Sequence, residues 1–211
     1  MSGRDSEGGT FGDVVTVMSE RERLVAAFTR VAAERGYRRT DVDQVARYAG
    51  LSRDRLELHF SSKERGLLAA QEAFLEVLWL EGVGGCEIVE EWPRRVQAGL
   101  RGVIAAVVDA SAVARVFTVE AAASSLAAAE RQFAAIDRFA ALLREGRRLY
   151  PRAESLPPVT ERLLVGGIAS ILCDHLLGED PMAIRLLESQ LVELLLIPFL
   201  GENEARRISA G

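Results

Sequence analysis

Residues 40–68 read "TDVDQVARYAGLSRDRLELHFSSKERGLL", and the two short helices at their centre decide the fold. Thr40 is the expected cap of the first, Val42, Val45 and Ala46 form its inner face, and Gly50 stops it. Ser52 caps the second. Placing Leu56 and Phe60, one turn apart, against a core orients that helix at about 100° per residue. Its outer face then carries Asp54, Arg55, Glu57 and Leu58, with Arg53 and His59 on the flanks. Two short helices joined through Ala49, Gly50, Leu51 and Ser52 match a helix-turn-helix, whose second helix enters the major groove of double-stranded DNA. A charged outer face is also what any short helix of an all-helical protein shows to water, so the neighbouring residues have to decide between the two.

Outward from that stretch, Lys63 falls in the first turn of the next helix, beside a cap at Ser61 or Ser62. There the macrodipole makes a cation mildly unfavourable. An anion resolves the conflict, because free backbone N–H groups and a lysine together form a phosphate site. Arg38, Arg39 and the Thr40 cap, in "GYRRT", offer a second, so two phosphate clamps bracket the inserted helix and Arg47 adds a further contact. Upstream, "SERERLVAAFTRVAAERG" reads as a first helix. Ser19 caps it with Glu22 three residues later, Leu24, Ala27, Phe28 and Val31 share a face, and Gly36 ends it.

In order, residues 36–68 present Gly36 with Tyr37, Thr40, Val42-x-x-Val45 with Ala46, Ala49 to Ser52, His59 with Phe60 and Lys63, and Leu67 with Leu68. This run resembles the signature of the tetracycline-repressor (TetR-like) regulators, and the resemblance extends over residues 19–68. It implies a DNA-binding head of three helices, a divergent helical body that binds a ligand and dimerises, and repression of transcription until a small molecule binds. Two places depart from the family pattern. Glu57 stands where a tyrosine usually contacts the DNA backbone, and Asp54 and Arg55 stand where small or hydroxylated residues are usual. Glu57 repels phosphate, yet an acid accepts from a cytosine amino group, Arg55 pairs with guanine and Leu58 meets a thymine methyl. The same departures leave open a helical dimer with a degenerate head that acts through protein contacts.

The chain of 211 residues is 49% hydrophobic, enough to bury a core, and its net charge is −5. That charge is uneven: residues 19–65 hold 11 basic and 8 acidic side chains, a balance of +3 against −8 for the rest. Such a split suits a head that approaches an anionic polymer while the body repels it. No stretch reaches the roughly 18 uncharged apolar residues of a membrane span, and the first residues lack the apolar segment of a secretion signal, so a cytoplasmic bacterial protein with no membrane partner is expected. Cys86 and Cys173 form no CxxC pair and read as reduced thiols without a role. Only two histidines occur, His59 and His175, and no spaced set of His, Cys and carboxylates points to a metal, a cofactor or catalysis. An enzyme is not expected.

The fold class is therefore all-α, a helix-turn-helix head over 19–65 and a ligand-binding and dimerisation body over 66–200. Flanking them are a disordered tail at 1–18 and a flexible tail at 201–211. Body helices are expected at 62–81, 92–110, 112–123, 125–149, 159–177 and 181–199. A cavity for a small-molecule effector of unknown identity would draw on Gln71, Phe74, Leu78, Arg115, Phe117, Phe133 and His175, although core packing explains each as well. Ile184, Leu187, Leu191 and Leu194 recur at three- and four-residue steps beside the small Gly166, Gly167 and Ser170. That seam reads either as intrachain core or, as the resemblance implies, as a homodimer interface of four helices.

Overall fold

The computed structural model describes residues 18–84, 91–178 and 180–211; the expected N-terminal tail, apart from Met18, and Cys86 lie outside them. Helix follows helix, with no strand among the described residues. The head consists of α1 (Glu20–Arg35), α2 (Val42–Ala49) and α3 (Arg53–His59). Ser19 and Glu22 close the capping box at 2.7 and 3.2 Å. Gly50 ends α2 in the left-handed region at φ 63°, a conformation that favours glycine. Arg23 reaches across from α1 and donates to the carbonyls of Ala49 and Gly50, which satisfies helix-end acceptors that would otherwise face water. Leu24, Phe28, Val31, Val45, Leu56 and Phe60 are buried together, and Phe28 meets Phe60 edge-on with ring centroids 5.6 Å apart.

The cap of α2 is Asp41, not the expected Thr40. Asp41 Oδ1 accepts from the Asp43 amide at 2.9 Å, while Thr40 is buried and donates its hydroxyl to the Gly36 carbonyl at 3.0 Å. The threonine closes the loop between α1 and α2 instead of starting a helix.

The body begins with α4 (Lys63–Gly84), which packs on both α1 and α5 (Trp92–Asp109). The stretch expected as one α-helix at 112–123 is α6 (Ser111–Ala114), a π-helical segment (Arg115–Glu120) and α7 (Ala121–Ser124). Then come α8 (Leu126–Leu149), the short α9 (Pro151–Glu154) and α10 (Thr160–Leu177). The expected helix at 181–199 is divided at Leu187 into α11 (Ala183–Leu186) and α12 (Glu188–Leu200). Trp92 holds this region together, its ring 5.0 Å from that of Phe199 and 5.6 Å from that of Tyr150.

The segment expected to be a flexible tail is instead α13 (Glu202–Ser209). Ala205 and Ile208 bury against the body, and the Ile208 carbonyl accepts from Arg94 at 3.1 Å and from the buried Gln97 at 3.0 Å. Two apolar side chains one turn apart are too few to show in a run as polar as "ENEARRIS".

Arg147 on α8 pairs through Nε and Nη2 with Glu161 on α10 and donates to the Leu156 and Pro157 carbonyls at 2.6 Å each, clipping the connection to both helices. Burial acts to raise the Glu161 carboxyl, but bonds from Arg147 and a backbone N–H override it and hold the group below its ordinary 4.5. Arg147 keeps its carbonyl bonds and some contact with water when Glu161 is removed, so Glu161→Ala should destabilise the chain by about 1.5–3 kcal/mol, the worth of a hydrogen bond to a charged group, read as a lower urea midpoint at unchanged slope. Because the folded value is depressed, the advantage of the natural residue is full above pH 4.5 and should close as pH falls through the folded value.

Candidate nucleic-acid interface and body cavity

Burial of Leu56 and Phe60 turns the other side of α3 outward, and Arg53, Asp54, Arg55, Glu57, Leu58 and His59 are all exposed. The basic side chains there are already paired. Arg55 Nη2 lies 2.5 Å from Glu20 Oε2 at the start of α1, and His59 Nε2 lies 3.0 Å from the same oxygen. Hydrogen bonds from His59 and then Arg55 hold the Glu20 carboxyl below the usual carboxylate range. Arg53 bridges Asp43 at 3.0 Å and Glu57 at 2.9 Å. Glu57 is thus partly neutralised within its own helix, and Leu58, 74% exposed, displays an apolar side chain on this face. Ser52 caps α3 through a bond from the Arg55 amide at 3.3 Å.

The two expected phosphate clamps are a single connected corner. Lys63 Nζ donates to the Arg38 carbonyl at 2.8 Å, so it fastens the loop before α2 to the start of α4. Ser62, not Ser61, caps α4 by accepting from the Arg65 amide at 3.2 Å. Arg38 Nε donates to Ser124 Oγ on α7 at 3.2 Å, whereas Arg39 projects into solvent. Arg47 is exposed and donates to the Asp43 carbonyl at 3.3 Å. The Thr40 side chain is turned inward and is not part of this surface. Glu20 was not foreseen in this role, since its partners stand 35 and 39 residues along the chain.

A cavity of about 450 Å³ lies in the body between α4, α5, α8 and α10, with Thr118 of the π segment and Leu195 of α12 also on its wall. Trp92, Val103, Phe139, Ile168 and Leu172 make it apolar. Its polar groups are Thr118, Gln132, Cys173 and the pair Arg95–Glu145, 2.6 Å apart. Of the seven residues expected to line a cavity, Leu78 does so. Gln71 is fully buried elsewhere and donates to the carbonyls of Phe117 and Ala128 at 3.0 Å each. Phe74 and Phe117 pack against each other with centroids 6.2 Å apart, and Phe133 is 55% exposed. Arg115 reaches Glu120 at 3.9 Å, and His175 Nδ1 lies 2.9 Å from the Ile171 carbonyl of its own helix.

The expected dimer seam divides in the same way. Ile184 and Leu191 are buried in the chain's own core and are not available to a second copy, whereas Leu187 is half-buried. Leu194 is 51% exposed, Gly167 and Ser170 are exposed, and Gly166 is half-buried with open space where a β-carbon would stand. Leu163, 69% exposed and one turn before Gly167, shares that side of α10.

The sequence model of bacterial regulatory proteins of the tetR family matches residues 24–70, which is the head and the first third of α4. No curated protein matches the chain in sequence. Among solved structures, the fatty acid degradation regulator FadR of Bacillus halodurans is similar, with 18% identity, a TM-score of 0.71, and 85% of this chain and 96% of that one covered. The transcriptional regulator FadR of Bacillus subtilis, solved in complex with stearoyl-CoA, has 18% identity, a TM-score of 0.69 and coverage of 85% and 97%. PfmR of Thermus thermophilus, a TetR family transcriptional regulator, has 22% identity, a TM-score of 0.61 and coverage of 85% and 97%. The tetR signature thus coincides with a head of helix-turn-helix geometry, and the fold of the whole chain is similar to that of solved TetR-type regulators.

Proposed function

We propose that the chain represses transcription as a homodimer that seats α3 of each copy in a major groove of a pseudo-palindromic operator, and that a small, mainly apolar effector in the body cavity releases it. The observation that supports this most is the coexistence, in one chain, of an outward-facing α3 on a packed head and an apolar space of about 450 Å³. In this reading Arg55 and Leu58 read bases, while Arg39, Arg47 and the corner of Lys63 and Arg38 meet the phosphates. FadR of Bacillus subtilis holds stearoyl-CoA, and a long apolar tail is the kind of group that a wall of Leu, Val, Ile and Phe favours. The exposed side of α10 and α12 with Leu163, Gly167, Ser170 and Leu194 is the surface for the second copy, spacing the two α3 helices by about one DNA turn, ~34 Å.

Footprinting on the DNA that flanks the chain's own gene tests the reading; two protected half-sites one turn apart are expected, and uniform protection or none removes it. Arg47→Ala or Arg39→Ala should weaken binding to all duplexes alike and lower the salt slope by about 1, whereas Arg55→Ala should shift preference by about 1–3 kcal/mol at one base pair. Leu194→Arg places a charge on the proposed seam without entering the core. Sedimentation should then show a folded monomer with weak half-site binding.

A further inference from the structure

Two residues after the cavity wall at Thr118, the π segment ends on a carboxylate that grips the head. Glu120 Oε2 accepts from the Tyr37 backbone amide at 2.9 Å, in the loop that leads from α1 to α2. It comes so near that a β-carbon on Gly36 would stand 2.9 Å from the same oxygen, and Gly36 has φ 88°, a backbone conformation that favours glycine. The next residue of that loop, Arg38, is the one held by Lys63 through its carbonyl and by Ser124 through its side chain.

Further back, the segment meets the cavity. Thr118 is part of the wall, and the Phe117 carbonyl is fixed from α4 by the buried Gln71 amide. The hydrogen-bonded ring between these points is one residue longer than in an α-helix, as the bond from the Ala121 amide to the Val116 carbonyl shows. A segment wound this way has a neighbouring state. Rewinding to α geometry moves the register by one residue and turns everything beyond it by about 100°. Glu120 would then swing off Tyr37.

We propose that Glu120 is the positioning residue that sets the head on the body, and that filling the cavity alters DNA binding by re-registering the π segment and withdrawing Glu120 from Tyr37. This rests on the reading of the chain as an effector-controlled DNA-binding protein. A ligand that pushes on Thr118 acts on the short segment between the Gln71 anchor and the Glu120 grip. The loop before α2 then keeps the Lys63 bond and the burial of Tyr37 and Thr40, because Ser124 lies beyond the segment and turns with it. α2 and α3 follow that loop because they share its core.

The test replaces the unknown effector by a tryptophan grown into the cavity. Ile136→Trp fills it from α8 without altering the π segment, and Thr118→Trp fills it from the segment itself. Affinity is measured by anisotropy on a duplex enriched from a random pool by the natural protein. Either tryptophan should lower affinity at least tenfold in the natural background. In Glu120→Ala the same substitution should change affinity less than twofold, while Glu120→Gln, whose amide oxygen still accepts from Tyr37, should restore the tenfold response. A full tenfold loss in Glu120→Ala overturns the assignment, because the signal then reaches the head by another route. If the new indole is buried, by its blue-shifted emission, and affinity in the natural background is unchanged, control by the cavity itself falls and this inference with it.

Discussion

Phe28 lies against the backbone of α4 at Gly66, so close that a β-carbon there would stand 2.1 Å from the ring. No side chain fits between them, and α4 is seated directly on α1. The rest of the molecule is arranged along the rod that this contact fixes. At about 1.5 Å per residue, its 22 residues extend roughly 33 Å. Lys63 stands at the end that holds the α2 loop, Gln71 two turns on holds the π segment, and Leu78 two turns further lines the cavity. A displacement of α4 at any of these levels is felt at the others, since a packed helix moves as a unit.

The head keeps its cations in equilibrium with its own acids. Arg55 and His59 share the half-buried Glu20, Arg53 is divided between Asp43 and Glu57, and the remaining groups are exposed. Exposed pairs of this kind are weakly held and screened by salt, so in the proposed complex phosphates and base edges would compete for them without a large barrier. The acids therefore do not silence the surface. In that complex they would make binding an exchange of partners, which discriminates more than simple attraction does.

Much of this was legible in the sequence where the deciding contact is local. Ser19 with Glu22, Gly50 and Ser52 each act within four residues, and the one-turn step from Leu56 to Phe60 fixes the face of α3 without reference to the body. Thr40 and Asp41 are adjacent and both able to cap, so only the fold of the loop separates them. The cavity was not legible. Its wall is contributed by several helices, and a glutamine in a helix reads the same whether it clamps a carbonyl, as Gln71 does, or faces a void, as Gln132 does. The stripe from Ile184 to Leu194 shows in the same way that periodicity tells which side of a helix is covered and not by which chain: Leu191 is core and Leu194, three residues on, is surface.

The bond from Arg94 to the Ile208 carbonyl joins residues 114 apart, whereas the ties within the head, such as Arg23 to Gly50 and Lys63 to Arg38, join residues 27 and 25 apart. Closing a long loop precedes any gain from the contact it makes, so elements linked over short separations organise first. By this argument the head is expected to take its structure before α13 has secured α5, and with it the wall of the chamber, so the proposed capacity to grip would precede the proposed capacity to be told to let go.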